Sequence, residues 1–161
     1  MTAGMRYYED LVEGEEHCSR PRTVTAEEII EFASKYDPQY FHMDPEAAKR
    51  SIFGELVASG IFTMAIWRQL DHQIGGDVAW ICGVAWDDVK FKTALRAGDA
   101  VRARARCIRK RVSNSHPERG VVVYDYLLLN QHDAVVFSCR STNLVERKGP
   151  EGVSVGADRH A

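Results

Sequence analysis

Two short stretches hold residues whose types and spacing suit proton chemistry: Tyr36-Asp37-Pro38-Gln39-Tyr40-Phe41-His42 and Val57-Ala58-Ser59-Gly60-Ile61-Phe62. In the first, a carboxylate and an imidazole stand five positions apart, and these are the side chains most used to remove and return protons near neutral pH. Pro38 forbids a continuous helix there, so an irregular loop is expected, able to aim Asp37 and His42 at one point. In the second stretch, Ser59 and Gly60 open a long apolar run with the character of a helix. The first N–H groups of a helix have no partner within it, and the positive end of its dipole lies beside them. Gly60 would therefore offer donors to a developing negative charge. Acid, base and fixed donors together are the parts needed for proton transfer beside a carbonyl group.

Each residue also has a plainer role open to it. Asp37 beside a proline suits a turn or a helix end, and a lone His42 beside Phe41 suits a packed, hydrogen-bonded histidine. Gly60 suits close packing of a helix on a strand. The joint spacing, followed by a glycine-led apolar helix, favours the chemical reading.

The elements that must position these groups can be read around them. Thr25-Ala26-Glu27-Glu28 fits a capping box, with Val24 set to staple onto Ile29. Ile29, Phe32, Ala33 and Tyr36 recur at helical spacing, so this helix delivers Asp37 at its C-terminal end. Asp44-Pro45 supplies an N-cap and a favoured first residue for a brief helix over 46–50. Leu56 to Leu70 is apolar all round and predicts a buried helix. Beyond Gly75-Gly76 the pattern turns to strands: 78–91, 101–108, 121–129 and 135–144, with a weaker first strand at 17–24 interrupted by Pro21. Val101, Ala103, Ala105 and Cys107 alternate with Arg102, Arg104 and Arg106, so one face packs and the arginines form a solvated face. Polar turns at 114–120 and 130–133 predict an antiparallel meander. Helices first and a sheet afterwards is an α+β arrangement, with the sheet wrapped around the apolar helix. A single domain over 1–145 is expected, followed by a mobile tail over 146–161 that lacks apolar periodicity.

Composition narrows the classes further. A chain of 161 residues, 45% hydrophobic and with a net charge of −2, has ample core and no field that would draw nucleic acid or an anionic membrane. No apolar run could span a bilayer and the first residues lack a signal peptide's apolar segment, so a soluble, cytoplasmic protein is expected. Cys18, Cys82, Cys107 and Cys139 form no C-x-x-C pair and are expected to be buried free thiols. His17, His72, His116, His132 and His160 show no metal-ligand spacing, and no metal or cofactor is expected. Trp67, Trp80 and Trp86 are expected in the core or at an interface.

Asp37-Pro38-Gln39-Tyr40-Phe41-His42-Met43-Asp44-Pro45 resembles the hydratase motif of the MaoC-like dehydratases, a family that includes the (R)-specific enoyl-CoA hydratases. That motif runs Asp, any residue, Asn, Pro, any residue, His, then an Asp-Pro pair. Ala58-Ser59-Gly60, and Val89-Lys90-Phe91-Lys92 leading into Arg96-Ala97-Gly98-Asp99, resemble two further landmarks of the family. Gln39 stands where Asn is usual, Tyr40 where Pro is usual, and Ser59 where His is common. The resemblance implies a hot-dog fold, an assembly of two or more copies, and hydration of 2-enoyl-CoA thioesters or the reverse dehydration. Asp37 would take a proton from water, His42 would hold that water and protonate the α-carbon, and the Gly60 N–H would hold the enolate-like oxygen. Gln39, Tyr40, Phe41 and Ser59 would meet the substrate. A thioesterase of the same fold and a non-catalytic acyl-thioester-binding protein are the alternatives.

Overall fold

The computed structural model describes residues 4–149. After a short 3-10 turn at Tyr8–Asp10 come strands β1 (Glu16–Cys18) and β2 (Arg22–Thr23), then helices α1 (Ala26–Tyr36), α2 (Tyr40–Met43), α3 (Pro45–Ala48) and α4 (Gly60–Gly75). Strands β3 (Trp80–Phe91), β4 (Ala100–Val112), β5 (Arg119–Leu129) and β6 (Val135–Glu146) follow. The sheet order is β1-β4-β5-β6-β3, with β2 also on β4, and every paired strand is antiparallel. The expected α+β arrangement is the observed one, and the meander β4-β5-β6 is its centre.

The sheet closes around α4 because of what each contributes. On β4, Val101, Ala103, Ala105 and Cys107 all lie buried, and the small alanines let the helix come close. Phe62, Ile66, Trp67 and Leu70 fill the space from the helix side, against Tyr126, Leu128, Phe137 and Cys139 of the neighbouring strands. The arginine face of β4 is solvated as expected, with Arg102 paired to Asp133 at 2.8 Å and Arg104 to Glu16 at 3.8 Å.

Several boundaries differ from the sequence expectation. Strand 17–24 is two pieces split at Ser19–Pro21. The apolar helix opens at Gly60 behind the Ser59 cap, as the glycine-led start implied, and the apolar run from Leu56 does not extend it, because Ala58 N–H donates to the Leu95 carbonyl and Val57 bridges Arg96, which keeps 56–58 extended. Nor is that helix buried all round: Ile61 is 54% exposed, and Ala65, Gln69 and His72 share its open side. Cys18 and Cys82 are exposed, whereas Cys107 and Cys139 are buried. Cys82 surfaces because β3 is an edge strand, which also exposes Ile81, Val84, Trp86 and Val89. Strand β6 runs on through Glu146, Arg147 pairs with Glu9 at 3.0 Å, and the Lys148 N–H donates to the same carboxylate at 2.9 Å. Order thus extends past residue 145, and the rest of the expected tail, 150–161, lies outside the described residues. Among the described residues no helix is long and apolar enough to cross a membrane.

Candidate active site

Helix α1 starts with the expected capping box: Thr25 Oγ1 accepts from the Glu28 N–H at 3.3 Å, and Glu28 accepts from the Thr25 N–H at 3.0 Å. Eleven residues later the helix stops at Asp37, whose φ of −157° and ψ of 71° leave the helical region as the residue before a proline must. The irregular stretch is shorter than expected. It covers only Asp37 to Gln39, after which α2 makes one helical turn. The turn forms because the Gln39 carbonyl accepts the His42 N–H at 2.9 Å and the Tyr40 carbonyl accepts the Asp44 N–H at 2.9 Å. Asp44 then caps α3 through its side chain, with Pro45 at the first helical position, as the sequence implied.

That turn brings the two ionisable groups together. Asp37 Oδ2 lies 3.7 Å from His42 Nε2, with the Asp37 side chain 24% exposed and the His42 side chain 7% exposed. On the other side of the ring, Nδ1 is 2.6 Å from the Val57 carbonyl oxygen. A carbonyl can only accept, so Nδ1 carries a hydrogen and donates it. Any reactive proton therefore enters and leaves the ring at Nε2, which faces Asp37. The remaining oxygen of the carboxylate, Oδ1, accepts from Gln39 Nε2 at 2.9 Å, which turns Oδ2 toward the imidazole. Gln39, expected to meet substrate, is bonded to Asp37 in the structure. Phe41 holds the ring from the side, edge-on at 4.5 Å between centroids, and its own carbonyl accepts the Val57 N–H at 3.1 Å. Tyr40 stands half open to solvent beside it, within ring contact of Phe41.

The two hydrogen bonds to Val57 also connect this turn to the start of α4, three residues further on. Ser59 is the N-cap, almost fully buried, and its Oγ accepts the Phe62 N–H at 3.1 Å. Its carbonyl accepts both the Thr63 N–H at 2.9 Å and the Thr63 hydroxyl at 3.0 Å. Ser59 thus fixes the helix start by accepting through Oγ and through its carbonyl. Gly60 follows at the first helical position, where a backbone N–H has no intrahelical acceptor. The ring of Phe91 sits against its Cα, and a β-carbon on Gly60 would lie only 3.0 to 3.3 Å from three ring atoms. Gly60 is therefore a packing glycine as well as a helix N-terminus. The Val57 carbonyl and the Phe91 ring were not legible from spacing, since one is backbone and the other comes from a distant strand.

A second polar group lies at the opposite end of α4, about 16 Å along its axis from Gly60. Asp71 is buried, and that burial holds its carboxyl above the usual range despite the neighbouring Arg68 guanidinium. Burial likewise pushes up the Tyr126 hydroxyl, close to Asp71, and the Cys139 thiol, the latter to about 12. Asp71 and Tyr126 share the wall of a small crevice with Arg6, His17 and Tyr124.

A family model described as a MaoC like domain matches residues 10–126. Over 110 residues, 68% of this chain, the sequence is 32% identical to Protein MaoC of Klebsiella aerogenes. Over 86 residues, half of this chain, it is 36% identical to the 3-hydroxyacyl-thioester dehydratase Z of Mycobacterium tuberculosis. The aligned part covers 32% of the Klebsiella protein and 56% of the mycobacterial one. Among solved structures, a MaoC-like dehydratase from Rhodospirillum rubrum superposes with a TM-score of 0.83 at 34% identity, over 89% of this chain and 99% of that one.

Proposed function

Because the chain belongs to the MaoC-like dehydratase family and has the hot-dog arrangement of a sheet around a helix, we propose that it is a hydro-lyase acting on 2-enoyl thioesters of coenzyme A. It adds water to give a 3-hydroxyacyl thioester, or removes it in the reverse direction. The observation that carries the reading is the Asp37 Oδ2 to His42 Nε2 pair at 3.7 Å, with His42 anchored through Nδ1 on the Val57 carbonyl. A separation of that size lets one water reach both groups.

In the hydration direction, the water oxygen bonds to the β-carbon while Asp37 takes up one of its protons. His42 holds the same water and passes a proton from Nε2 to the α-carbon. The electrons of the double bond move toward the thioester oxygen and return as that second proton arrives. One proton leaves the water and one reaches carbon, so the pair regains its starting state when a proton crosses from Oδ2 to Nε2. The oxyanion that forms in between is held by the Gly60 N–H at the positive end of α4. Removing one such donor costs about 3 to 4 kcal/mol in barrier. Gln39 serves by fixing the carboxylate, Ser59 by fixing the helix start, and Phe41 and Tyr40 by lining the approach.

The assembly belongs to the same reading. Among the described residues, strand β3 is an edge twelve residues long with no outer partner and with Ile81, Val84, Trp86 and Val89 exposed, and such an edge invites a second strand. A homodimer or higher assembly is the proposed functional form. The test of the activity is direct: hydration bleaches the conjugated enoyl absorbance of a 2-enoyl thioester while the thioester stays intact.

A further inference from the structure

The position of Phe91 has an origin that can be traced along β3. Trp86 turns its ring toward buried Trp67, 5.2 Å between centroids, so it faces the core. Strict alternation from there would turn Trp86, Asp88 and Lys90 inward. The strand instead skips a register between Asp87 and Lys90, with Asp88 at a φ of 53°. Trp86 pairs with Ser141 and Phe91 with Phe137, so five steps on β3 match four on β6. That extra residue is a β-bulge, and it exchanges the faces beyond it. Phe91 turns toward the helix in place of Lys90.

The consequence lies at the start of α4. Cζ, Cε1 and Cε2 of Phe91 all approach the position a Gly60 β-carbon would take, at 3.0, 3.2 and 3.3 Å, so the tip of the ring covers Gly60. One side of the ring rests on Phe137 at 5.6 Å between centroids, and Phe137 in turn rests on Trp67 at 5.1 Å. Phe137 and Trp67 are both fully buried, so the way inward from Gly60 along the helix is filled. The other side of Phe91 is open, since the residue is 53% exposed. An acyl group whose carbonyl oxygen reaches the Gly60 N–H would lie beside this ring.

We infer that Phe91, aimed by the bulge at Asp88, is the specificity-determining residue of the site, restricting it to short acyl groups unbranched at the α-carbon. This rests on the hydratase reading above. A single methylene or methyl misfit in an apolar pocket is worth roughly 10- to 200-fold in specificity. The experiment compares wild type, F91A and F91L with 2-butenoyl-, 2-methyl-2-butenoyl- and 2-octenoyl-CoA, following loss of enoyl absorbance and resolving kcat from KM, with thermal melting to establish folding. Wild type prefers the first thioester, and F91A narrows its lead over the other two by roughly tenfold or more, mainly through their KM values, with F91L intermediate. Should F91A not fold, the same narrowing in F91L carries the test. If wild type hydrates enoyl thioesters but the variants change all three equally, Phe91 only packs and the inference is overturned while the hydratase reading stands. If wild type hydrates none of them, the hydratase reading fails and takes this inference with it.

Discussion

Replacing Gly60 with alanine separates the two roles that this residue combines. A β-carbon there would come within 3.0 to 3.3 Å of the Phe91 ring, closer than comfortable contact by a few tenths of an ångström. The obstacle is the tip of a half-exposed side chain rather than backbone, so the ring can yield at a cost of about 1 to 2 kcal/mol. Alanine returns about 0.8 to 1.0 kcal/mol by its better helix propensity, less at a first helical position than inside. The two contributions nearly offset each other, and net stability should change by no more than about 1 kcal/mol. For a domain of this size that is a shift of about 2 to 4 °C in melting temperature. Activity should respond quite differently, because the new methyl and the displaced ring crowd the N–H proposed to hold the thioester oxygen. Losing such a donor lowers turnover by about 10² to 10³. Differential scanning calorimetry and the enoyl absorbance assay, run on the same preparation of Gly60→Ala, measure both quantities. A melting loss beyond about 10 °C would mean that Gly60 is chiefly a packing glycine. Unchanged turnover with a stable fold would refute the assignment of the oxyanion donor.

Three other outcomes follow from separate parts of the molecule. Asp71 has a folded pKa above its ordinary value of 3.8, so the folded chain holds that proton more tightly than the unfolded one. Its contribution to stability is then fullest below that ordinary value and declines as pH rises through the raised one. The difference in stability between wild type and Asp71→Asn, measured by urea unfolding across that window, should turn steadily against wild type with rising pH, and a flat difference would contradict the burial argument. Multi-angle light scattering at micromolar concentration should give at least twice the 18.1 kDa chain mass, whereas a single-chain mass would mean that the β3 edge stays unpaired. A chain ending at Gly149 keeps Arg147 and Lys148 on Glu9 and Asp10, and should melt within about 2 °C of the full chain.

How far the sequence could be read depended on whether the deciding contact was local. The capping box at Thr25 and the Asp44-Pro45 start of α3 each involve residues three or fewer apart, and both stand as expected. The alternation on β4 was also legible, because one buried face and one solvated face impose a period of two. The opening of α4 at Ser59-Gly60 was legible, although Leu56, Val57 and Ala58 are apolar enough to extend the helix four residues earlier. What keeps them extended is Leu95 and Arg96 from a distant segment. Exposure of Cys82 was missed for a related reason: a strand that looks like core from its composition can still lie at a sheet edge. In the site, the spacing of Asp37 and His42 was visible, and the structure brings them together. The work of Gln39 on the carboxylate, of the Val57 carbonyl on Nδ1, and of the bulge that brings Phe91 to Gly60 was not visible. Side-chain direction and register are set by pairing, which single-sequence patterns do not encode.

Whether Asp37 and His42 together move protons beside a thioester carbonyl is decided by one set of assays with a 2-enoyl-CoA. Wild type, Asp37→Asn, His42→Ala and the double variant are followed in parallel by enoyl absorbance and by release of free thiol. Wild type should consume the enoyl absorbance without releasing thiol, and each single variant should melt normally yet be slower by at least about a hundredfold, within the usual range for acid–base catalysis. Since both groups act on one water, the double variant should be little slower than the worse single one. Multiplicative losses would mean that the two act independently. Thiol release from saturated acyl thioesters, with the enoyl absorbance untouched, would contradict the account and point to a thioesterase.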